Sequence, residues 1–433
     1  MKVVVVGAGI SGLFTYLYLK QELKRALPPH EQLEIVIYER YPNPVPILKG
    51  GVSIGGFLGI APNGLKVIRD LDGGLYEEIV SKGSRQTTFR LRSSQGWNIG
   101  QMSAENFDTP PLPNVLISRH ALWESFRQRV PDCDIVFEPV KGVSFSDEKA
   151  SLVVGEDASS HAADLIVGAD GVHSVVREAV AGDDRDSKPE YVGLVGVGGL
   201  LDPAVILPDP GSQEVMTITF GANGFFGYAP IADQRFGWWS TYAMPEPPES
   251  NKAFDRDQAK RELQERHQEW SDPNIQTMIA NVEINSIYPT FVVPALSKWS
   301  KANVVLIGDA AHAMQPSAGQ GVSQALEDVQ VLSIMLAHFL QHGDRQAGIK
   351  GAFDKYQLLR VPRVQKCVEE GNRRGDQKRD HGRIMEYIFY GFMWAFTHLV
   401  PVDPWRKFLF GTSVADEARA LTEKESIATG EAQ

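Results

Sequence analysis

The sequence has 433 residues, which is enough for two or three compact units and for the burial of a large ligand. Its hydrophobic fraction of 43% and charged fraction of 22% exclude a disordered chain and a polytopic membrane protein. A formal charge of -11, from 54 acidic and 43 Lys or Arg residues, excludes nucleic acid as a partner, because such a surface repels phosphate.

The cysteines and histidines predict no metal site. Cys133 and Cys367 form no CxxC motif, so neither a disulfide framework nor a thiolate metal centre is expected. The ten histidines form no HExxH or HxH pattern. A strand follows Met1 and Lys2 directly, which leaves no room for a signal or transit peptide. The expected location is therefore the cytoplasm.

The chain begins with a β-branched strand, a glycine-rich turn and a helix. Residues 3–6 read VVVV, residues 13–26 place apolar side chains at helical spacing, and residues 33–38 form the next apolar strand. This order predicts the start of a doubly wound, Rossmann-like α/β domain. Further strands are predicted at 164–167 and 303–307, and their carboxyl ends would gather ligand contacts at one sheet edge.

The turn after the first strand reads GAGISG and has the GxGxxG spacing of a dinucleotide site. Gly7 permits the tight turn, Gly9 lets backbone approach a pyrophosphate, and Gly12 allows the helix to pack closely on the strand. The amino end of the helix supplies oriented N–H groups. Glu39, at the end of the second strand, is the predicted acceptor for ribose hydroxyls, and Arg40 beside it is a further expected cofactor contact.

Two later stretches differ from this pattern in composition. Residues 87–100 and 191–294 contain β-rich, aromatic runs punctuated by Gly and Pro, which predict a separate mixed or antiparallel sheet. A polar helix is predicted inside the second stretch, at 257–270. A long helix is expected from Gly321 onward, followed by a helical tail.

Residues 384–400 form an unusually apolar segment of that tail, IMEYIFYGFMWAFTHLV, with basic residues on both sides. The segment is slightly short of the ~20 residues needed to cross a bilayer. Two interpretations stay open. One is a helix packed internally or buried in a dimer, and the other is a helix in peripheral contact with a membrane surface.

A second glycine-rich loop, LIGDAAHAMQPSAGQG, occupies residues 306–321 and places Asp309 at a strand end. A nicotinamide dehydrogenase needs no such acid this far along the chain. FAD does, because it runs along the sheet edge and needs contacts far from the first turn. The sequence therefore favours FAD as the bound dinucleotide.

Three segments together resemble the signature motifs of class A flavoprotein monooxygenases, the para-hydroxybenzoate hydroxylase-like family. They are residues 7–12, residues 168–171 with the following Ser174 and Arg177, and residues 308–312. The resemblance implies an α/β fold. It also implies that a doubly wound FAD-binding domain of the glutathione-reductase type is interrupted by a mixed β-sheet substrate domain and followed by C-terminal helices. The expected limits are 1–86, 101–185 and 295–345 for the FAD-binding domain, 87–100 and 186–294 for the substrate domain, and 346–433 for the helical region.

The resemblance also assigns cofactor contacts. Arg119 matches an arginine that pairs with the FAD phosphates, and Asp309 matches an acid that binds the ribityl and pyrophosphate region. Asp170 and Gly171 match a motif that serves both FAD and NAD(P)H. His312 is expected only to support its loop. The remaining expected flavin contacts are Gly56, Pro316, Gly319, Gly321 and Val322.

Substrate contacts are expected from aromatic residues of the β-rich segment. Gly198 stands where many phenol hydroxylases of the family carry an arginine, so no phenolate clamp is expected there. The run GFFGYAPI matches the family strand that faces the flavin. Phe226 and Tyr228 are therefore the first candidates, with Tyr228 also the candidate catalytic residue, and Trp239 is the third.

By resemblance, the chain is a single-component FAD monooxygenase that uses NADPH or NADH and O2. A flavin C4a-hydroperoxide would hydroxylate or epoxidise a small-molecule substrate that is bulky and aromatic or polycyclic, as in secondary metabolism. Two alternatives stay open: a flavin oxidase or reductase without oxygen insertion, and a non-catalytic, membrane-associated flavin protein. A flavin-dependent halogenase is disfavoured because the Trp-x-Trp-x-Ile-Pro signature is absent.

Overall fold

The computed structural model describes residues 1–41, 47–48, 52–53, 56–146, 149–182, 187–202, 204, 214–232, 235–247, 255–341, 344–376, 382–401 and 403–429. The helices of this part of the chain are α1 (Ile10–Ala26), α2 (Pro62–Leu71), α3 (Gly73–Lys82), α4 (Arg119–Arg127), α5 (Val175–Ala181), α6 (Arg256–Arg266), α7 (Pro273–Asn281), α8 (Asp309–His312), α9 (Gly321–Phe339), α10 (Arg345–Asp376), α11 (Arg383–Leu399), α12 (Pro404–Phe410) and α13 (Val414–Thr429).

The strands of the same residues are β1 (Lys2–Val6), β2 (Glu34–Tyr38), β3 (Ile47–Leu48), β4 (Val52–Ser53), β5 (Phe57–Ile60), β6 (Ser84–Gln86), β7 (Thr88–Ser93), β8 (Asn98–Ser103), β9 (Asn114–Ser118), β10 (Ile135–Val136), β11 (Val140–Ser146), β12 (Lys149–Val154), β13 (Ser159–Ala162), β14 (Leu165–Gly168), β15 (Glu190–Leu201), β16 (Val215–Gly221), β17 (Gly224–Pro230), β18 (Phe236–Ala243), β19 (Ser286–Val292), β20 (Ser300–Lys301) and β21 (Val304–Leu306).

A six-stranded sheet in the order β10-β2-β1-β14-β21-β20 carries the three predicted motifs. Its strands β10, β2, β1, β14 and β21 are parallel, and β20 is antiparallel to β21. Strands buried on both faces read as continuous apolar runs, which explains the VVVV of β1 and the LIV of β14. The predicted strand, turn, helix, strand opening is present, and the carboxyl ends of β1, β14 and β21 lie side by side.

A seven-stranded sheet in the order β19-β15-β18-β17-β16-β7-β8 forms the second layer. One of its faces is covered by α6 and α7, and together they enclose an apolar cluster that includes Val195, Trp238 and Leu263. The helix predicted at 257–270 ends earlier, at Arg266, and α7 follows it as a second helix. The other face packs on Phe57 of β5 and on Leu116 of β9. This second face therefore packs against β5 and β9, the strands that join the seven-stranded sheet to the FAD-binding part of the chain.

Helix α9 begins at Gly321, as predicted, and is buried along almost its whole length. It packs against α1, α2, α10 and α13, so the helical tail closes over the parallel sheet and completes the main apolar core. The helix α11 instead packs on β8 of the second sheet. The domain limits stay a prediction, although β8 extends to Ser103, slightly beyond the expected 87–100 segment.

Candidate active site

The glycine-rich turn has the geometry that its sequence predicts. Gly7 has φ +102°, a value that side-chain-bearing residues rarely adopt. A Cβ on Gly12 would lie 1.9 Å from the Gly7 carbonyl oxygen, so helix α1 can approach the turn only with glycine there. Gly9 is exposed, and a Cβ on it would meet nothing within 4 Å. The turn therefore presents open backbone at the amino end of α1, where N–H groups can donate to a phosphate.

Glu39 lies against this turn. Its Oε2 accepts a hydrogen bond from Ala8 N at 2.7 Å, and its Oε1 accepts one from Tyr41 N at 3.0 Å. The indole Nε1 of Trp123 donates to the Ala8 carbonyl oxygen at 2.8 Å. Glu39 thus fixes the backbone of the turn, and its ribose contact stays a prediction. Arg40 is exposed, with its guanidinium 5.8 Å from the Tyr41 ring centre.

Arg119 is the first residue of α4 and is exposed. Its backbone N donates to the Gly56 carbonyl oxygen at 3.2 Å, so the two predicted contacts are adjacent. Its guanidinium has no hydrogen bond or ion pair with any described residue. A Cβ on Gly56 would lie 3.2 Å from Ser286 Oγ, which brings the second sheet within reach. An unpaired guanidinium at this position can bind an anion.

Asp170 lies at the amino end of helix α5, whose N-cap residue is Ser174. Its carboxylate accepts hydrogen bonds from the Ser174 hydroxyl and from Val175 N at 2.8 Å. Burial raises the pKa of Asp170, and the bonds from Ser174 and the helix amides oppose that rise. Gly171 has φ +79° and open space at its Cβ position. The Asp170 carboxylate therefore stabilises the turn through these hydrogen bonds. The backbone of Gly171 is the part of the turn that a ligand can approach.

Arg177 links this motif to the 308–312 loop. It is fully buried, and its guanidinium donates to the carbonyl oxygens of Ser187 at 3.0 Å and Ala311 at 2.9 Å. It also donates to the carbonyl oxygen of Pro294. Because one buried cation satisfies carbonyls from several segments, the strand ends of β14 and β21 are held at a fixed spacing.

Asp309 has the environment expected of a ligand-binding acid. It is exposed although Gly308 and Ala310 on either side are buried. Its carboxylate has no hydrogen-bond or ion-pair partner among the described residues. Gly308 has φ +55°, and its N donates to Asp328 Oδ2 at 2.9 Å. The Asp309 side chain is therefore exposed, while the backbone next to it is fixed by the hydrogen bond from Gly308 N to Asp328.

The turn before α9 is also open to solvent. Pro316 and Gly319 are exposed, while Gly321 and Val322 are partly buried. Gly319 has φ +62°, and a Cβ on Gly319 or on Gly321 would meet nothing within 4 Å. No side chain caps the amino end of α9. Its free N–H groups and the helix dipole can therefore stabilise negative charge on a bound group.

A buried charge network lies under both loops, and sequence reasoning missed most of it. Arg360 of α10 is fully buried and donates to Asp328 Oδ1 at 2.8 Å and to Glu327 Oε2 at 2.6 Å. His312 Nε2 lies 2.6 Å from Asp328 Oδ2, so His312 supports its loop as expected. Arg363 pairs with Glu327 as well. Burial alone would raise the pKa values of Glu327 and Asp328. Arg363 and Arg360 hold the pKa of Glu327 below its ordinary value, and His312 and Arg360 do the same for Asp328.

Phe226 and Tyr228 do not lie where the sequence placed them. Phe226 is fully buried, stacks on Trp238 at 5.6 Å and touches His267, on the face covered by α6 and α7. Tyr228 belongs to the same cluster, and burial raises its pKa. The prediction that both rings face the flavin and substrate, with Tyr228 catalytic, is therefore wrong in this structure, because the alternation of the strand turns them away.

Trp239 lies on the opposite face. It packs in the cluster that contains Phe57 and Leu116, and a Cβ on Gly227 would meet its indole at 2.4 Å. A Cβ on Gly237 would in turn lie 3.1 Å from the Phe57 ring. Since β5 follows Gly56 directly, this face of the sheet lies next to Gly56, one of the predicted flavin contacts. Among the three aromatic substrate candidates, Trp239 alone has the required orientation.

Residues 1–371 match the family model described as FAD binding domain. The chain belongs to this family. It is 28% identical over 380 residues to the aurachin C monooxygenase/isomerase of Stigmatella aurantiaca, covering 87% of this chain and 89% of the relative. It is 29% identical over 406 residues to the FAD-dependent urate hydroxylase of Klebsiella pneumoniae, covering 89% and 92%. The predicted membership of the class A monooxygenases is confirmed.

The fold predicted for this FAD binding domain protein is also confirmed. The crystal structure of Klebsiella pneumoniae HpxO complexed with FAD and uric acid superposes with a TM-score of 0.73 at 23% sequence identity. The superposition covers 96% of this chain and 97% of that structure. The α/β architecture with its inserted sheet and helical tail is therefore shared along almost the whole length.

The residues present fit FAD. Gly9, Gly171 and Gly319 offer open backbone along one sheet edge, where a Cβ would meet no protein atom within 4 Å. Arg119 and Asp309 add an unpaired cation and an unpaired anion on exposed positions among the described residues. A dinucleotide that carries phosphates at one point and polyol hydroxyls at another matches this distribution of charge.

Two features of this family member bear on the substrate. A Cβ on Gly198 would lie 2.9 Å from the Trp238 carbonyl oxygen, so a side chain such as arginine could not enter here without a backbone shift. Tyr288 of β19 fills the same face instead: a Cβ on Gly196 would lie 2.0 Å from its ring. The Tyr288 hydroxyl has no partner among the described residues, and burial raises its pKa to about 12. Sequence reasoning overlooked this tyrosine.

Proposed function

We propose that the chain is a single-component FAD-dependent monooxygenase that uses NADPH or NADH and O2 to hydroxylate or epoxidise a bulky aromatic or polycyclic small molecule. The observation that carries the proposal is an exposed Asp309, unpartnered among the described residues, together with a sheet face of Trp239 and Tyr288 that packs against Phe57 beside Gly56. The two curated relatives are a monooxygenase/isomerase and a hydroxylase, which supports the same reaction class.

When bound, FAD supplies the oxygen-activating chemistry, and the protein supplies binding, orientation and the exclusion of water. The proposed cofactor contacts are Gly7, Gly9, Gly12, Glu39, Arg40, Gly56, Arg119, Asp170, Gly171, Asp309, Pro316, Gly319, Gly321 and Val322. The apolar rings of Trp239 and Phe57 exclude water and favour an apolar substrate. With the pKa of Tyr288 at about 12, its hydroxyl is protonated at neutral pH and can donate a hydrogen bond to a substrate oxygen or nitrogen.

Oxygen insertion is the test of this function. We expect the purified yellow protein to oxidise NADPH or NADH faster when a lipophilic aromatic substrate is present. Mass spectrometry should then show a product that has gained one oxygen atom, drawn from isotopically labelled dioxygen. A product that loses hydride without gaining oxygen would establish the oxidase or reductase alternative. A protein that never acquires bound flavin would contradict both.

Tyr288 gives a sharper prediction. Tyr288→Phe should raise KM about 2- to 12-fold, because one neutral hydrogen bond to the substrate contributes about 0.5–1.5 kcal/mol. FAD content should stay the same. The measurement is the KM for substrate together with the ratio of product formed to NAD(P)H consumed, which should fall as the substrate loses its orientation.

The matched control is Tyr228→Phe, which removes a hydroxyl from the opposite face of the sheet, beside Thr217. This variant should keep the KM and the product ratio of the parent. If Tyr228→Phe changed these values and Tyr288→Phe did not, the substrate would lie on the face that α6 and α7 cover, opposite to the one proposed.

A further inference from the structure

Helix α11 presents its apolar side to solvent. Ile388 is 60% exposed and Phe392 is 62% exposed, values that buried core helices do not show. The other large apolar side chains that are about half exposed or more on this helix are Ile384, Met385, Tyr387, Trp394 and Leu399. A contiguous apolar surface of this kind marks a site of interaction.

The inner side of the same helix holds its only acid. The Ser94 hydroxyl donates to Glu386 Oε1 at 2.7 Å, and Tyr390 donates to the Phe220 carbonyl oxygen at 2.7 Å. Phe389 and Met393 pack beside them on Leu91 and Ile99 of the second sheet. The helix is therefore firmly seated, with its carboxylate turned inward, and its outward side carries no Asp, Glu, Lys or Arg after Arg383.

The length of α11 and the aromatic residues at the edge of its apolar face indicate which kind of partner covers that face. Among the described residues, no helix combines the length and the apolarity that a membrane crossing needs. Tyr387 packs against Trp97 with the ring centres 5.9 Å apart, and Trp394 stacks on His398 at 4.9 Å, so aromatic rings with polar tips line one border. Such rings favour the boundary between lipid headgroups and acyl chains.

Charge complementarity points the same way. The chain has a formal charge of -11, yet residues 378–407 contain five Lys or Arg residues against three acids, Asp380, Glu386 and Asp403. Arg383 also pairs with Glu269, and Glu386 is turned inward. Asp403 nearby is occupied as the cap of α12. A cationic surround on an acidic protein matches an anionic lipid surface better than a second copy of the same acidic chain. The basic residues before and after the helix are Lys378, Arg379, Arg383, Arg406 and Lys407.

A row of rings leads inward from this helix. Phe389 lies 5.2 Å from Phe220, which lies 5.6 Å from Phe225, and Phe225 lies 6.4 Å from Trp239. Trp239 belongs to the face that lies next to Gly56, one of the predicted flavin contacts. Helix α11 and the candidate substrate face are thus joined by contiguous apolar side chains.

We propose that α11 docks this enzyme on an anionic lipid bilayer, lying in the interface with Ile388, Phe392 and the neighbouring apolar side chains in the lipid. Binding strength then comes from buried apolar area together with attraction between the flanking cations and anionic headgroups. A substrate dissolved in the bilayer would meet the protein at the end of the row of rings. That consequence rests on the proposed monooxygenase function, whereas the docking itself does not.

The test is flotation of the full, FAD-loaded chain with phosphatidylcholine vesicles that contain phosphatidylglycerol. The parent should float, and vesicles of phosphatidylcholine alone should retain less of it. Ile388→Glu and Phe392→Glu should each lower the ratio of bound to free protein roughly tenfold or more. Leu358→Glu is the matched control, because Leu358 is a 59% exposed residue on α10, and it should float like the parent.

FAD content and the unfolding temperature of each variant show whether the substituted positions affect the fold. A parent that stays in solution with both kinds of vesicle would overturn the proposal. So would equal flotation of the parent and both α11 variants. If sedimentation shows a parent dimer that Phe392→Glu converts to monomer, with no flotation, the face is covered by a second copy instead. Flotation needs no turnover, so its failure is distinct from failure of the proposed activity.

Discussion

Asp309→Ala should yield a protein that folds but loses its FAD. The side chain is exposed and unpartnered among the described residues, so its removal breaks no internal contact there. A hydrogen bond to a charged group contributes about 1.5–3 kcal/mol, so the Kd for FAD should rise roughly 10- to 100-fold. The measurement is flavin absorbance per mole of purified protein, together with titration of the flavin-free protein with FAD.

Thermal unfolding separates this loss from a folding defect. The flavin-free forms of Asp309→Ala and of the parent should unfold at the same temperature. Added FAD should then stabilise the parent more, because ligand binding contributes about 2.7 kcal/mol at 100 times Kd. Asp416→Ala, a change at another exposed acid, should behave like the parent. An Asp309→Ala protein as yellow as the parent would show that the second glycine-rich loop has another purpose.

The parts of the site that sequence could predict are the ones specified by local geometry. Gly7, Gly12 and Gly308 occupy positions where positive φ or close backbone contact requires glycine. Gly7 and Gly308 lie just beyond strands β1 and β21, and Gly12 lies in the first turn of α1. The carboxyl ends of parallel strands lie at the same edge of a sheet. The position of each motif after a strand was therefore enough to predict that Asp170 and Asp309 lie at that edge.

The face of a strand is harder to predict. Phe225 and Phe226 are adjacent in sequence, yet they point to opposite sides of the sheet, and a one-residue difference decides which ring meets the substrate. Both sides of this sheet are buried, one by α6 and α7 and one by β5 and β9, so aromatic residues occur on both. The pattern of hydrophobicity therefore carried no information about which face lies toward the flavin.

Contacts distant in sequence could not be predicted either. Tyr288 takes the space above Gly196, and only the pairing of β15 with β19 brings the two together. Arg360 and its partner Asp328 lie on different helices, α10 and α9. A signal did exist: Glu327 and Asp328 are adjacent acids on a helix of otherwise buried, mostly uncharged side chains, and buried acids require cations.

Arg360→Met should destabilise the fold far more than the loss of an exposed ion pair. It leaves Glu327 and Asp328 buried with one cationic partner fewer, and removal of one member of a buried ion pair costs about 3–5 kcal/mol. Asp328 Oδ2 also accepts the Gly308 N–H, so loosening this carboxylate should disturb the turn that presents Asp309. The measurement is the free energy of unfolding from denaturant titration, followed by circular dichroism, with and without FAD.

The matched control is Arg373→Met on the same helix, where the arginine is 72% exposed and pairs with Glu370. An exposed ion pair contributes at most about 1 kcal/mol, so this variant should unfold close to the parent. Arg360→Lys should recover part of the loss, because an ammonium restores the charge but cannot donate to both carboxylates in the planar geometry of a guanidinium. Should Arg360→Met unfold no more easily than Arg373→Met, the network would be a passive part of the core, and the anchoring of the Asp309 loop would have to come from Arg177 alone.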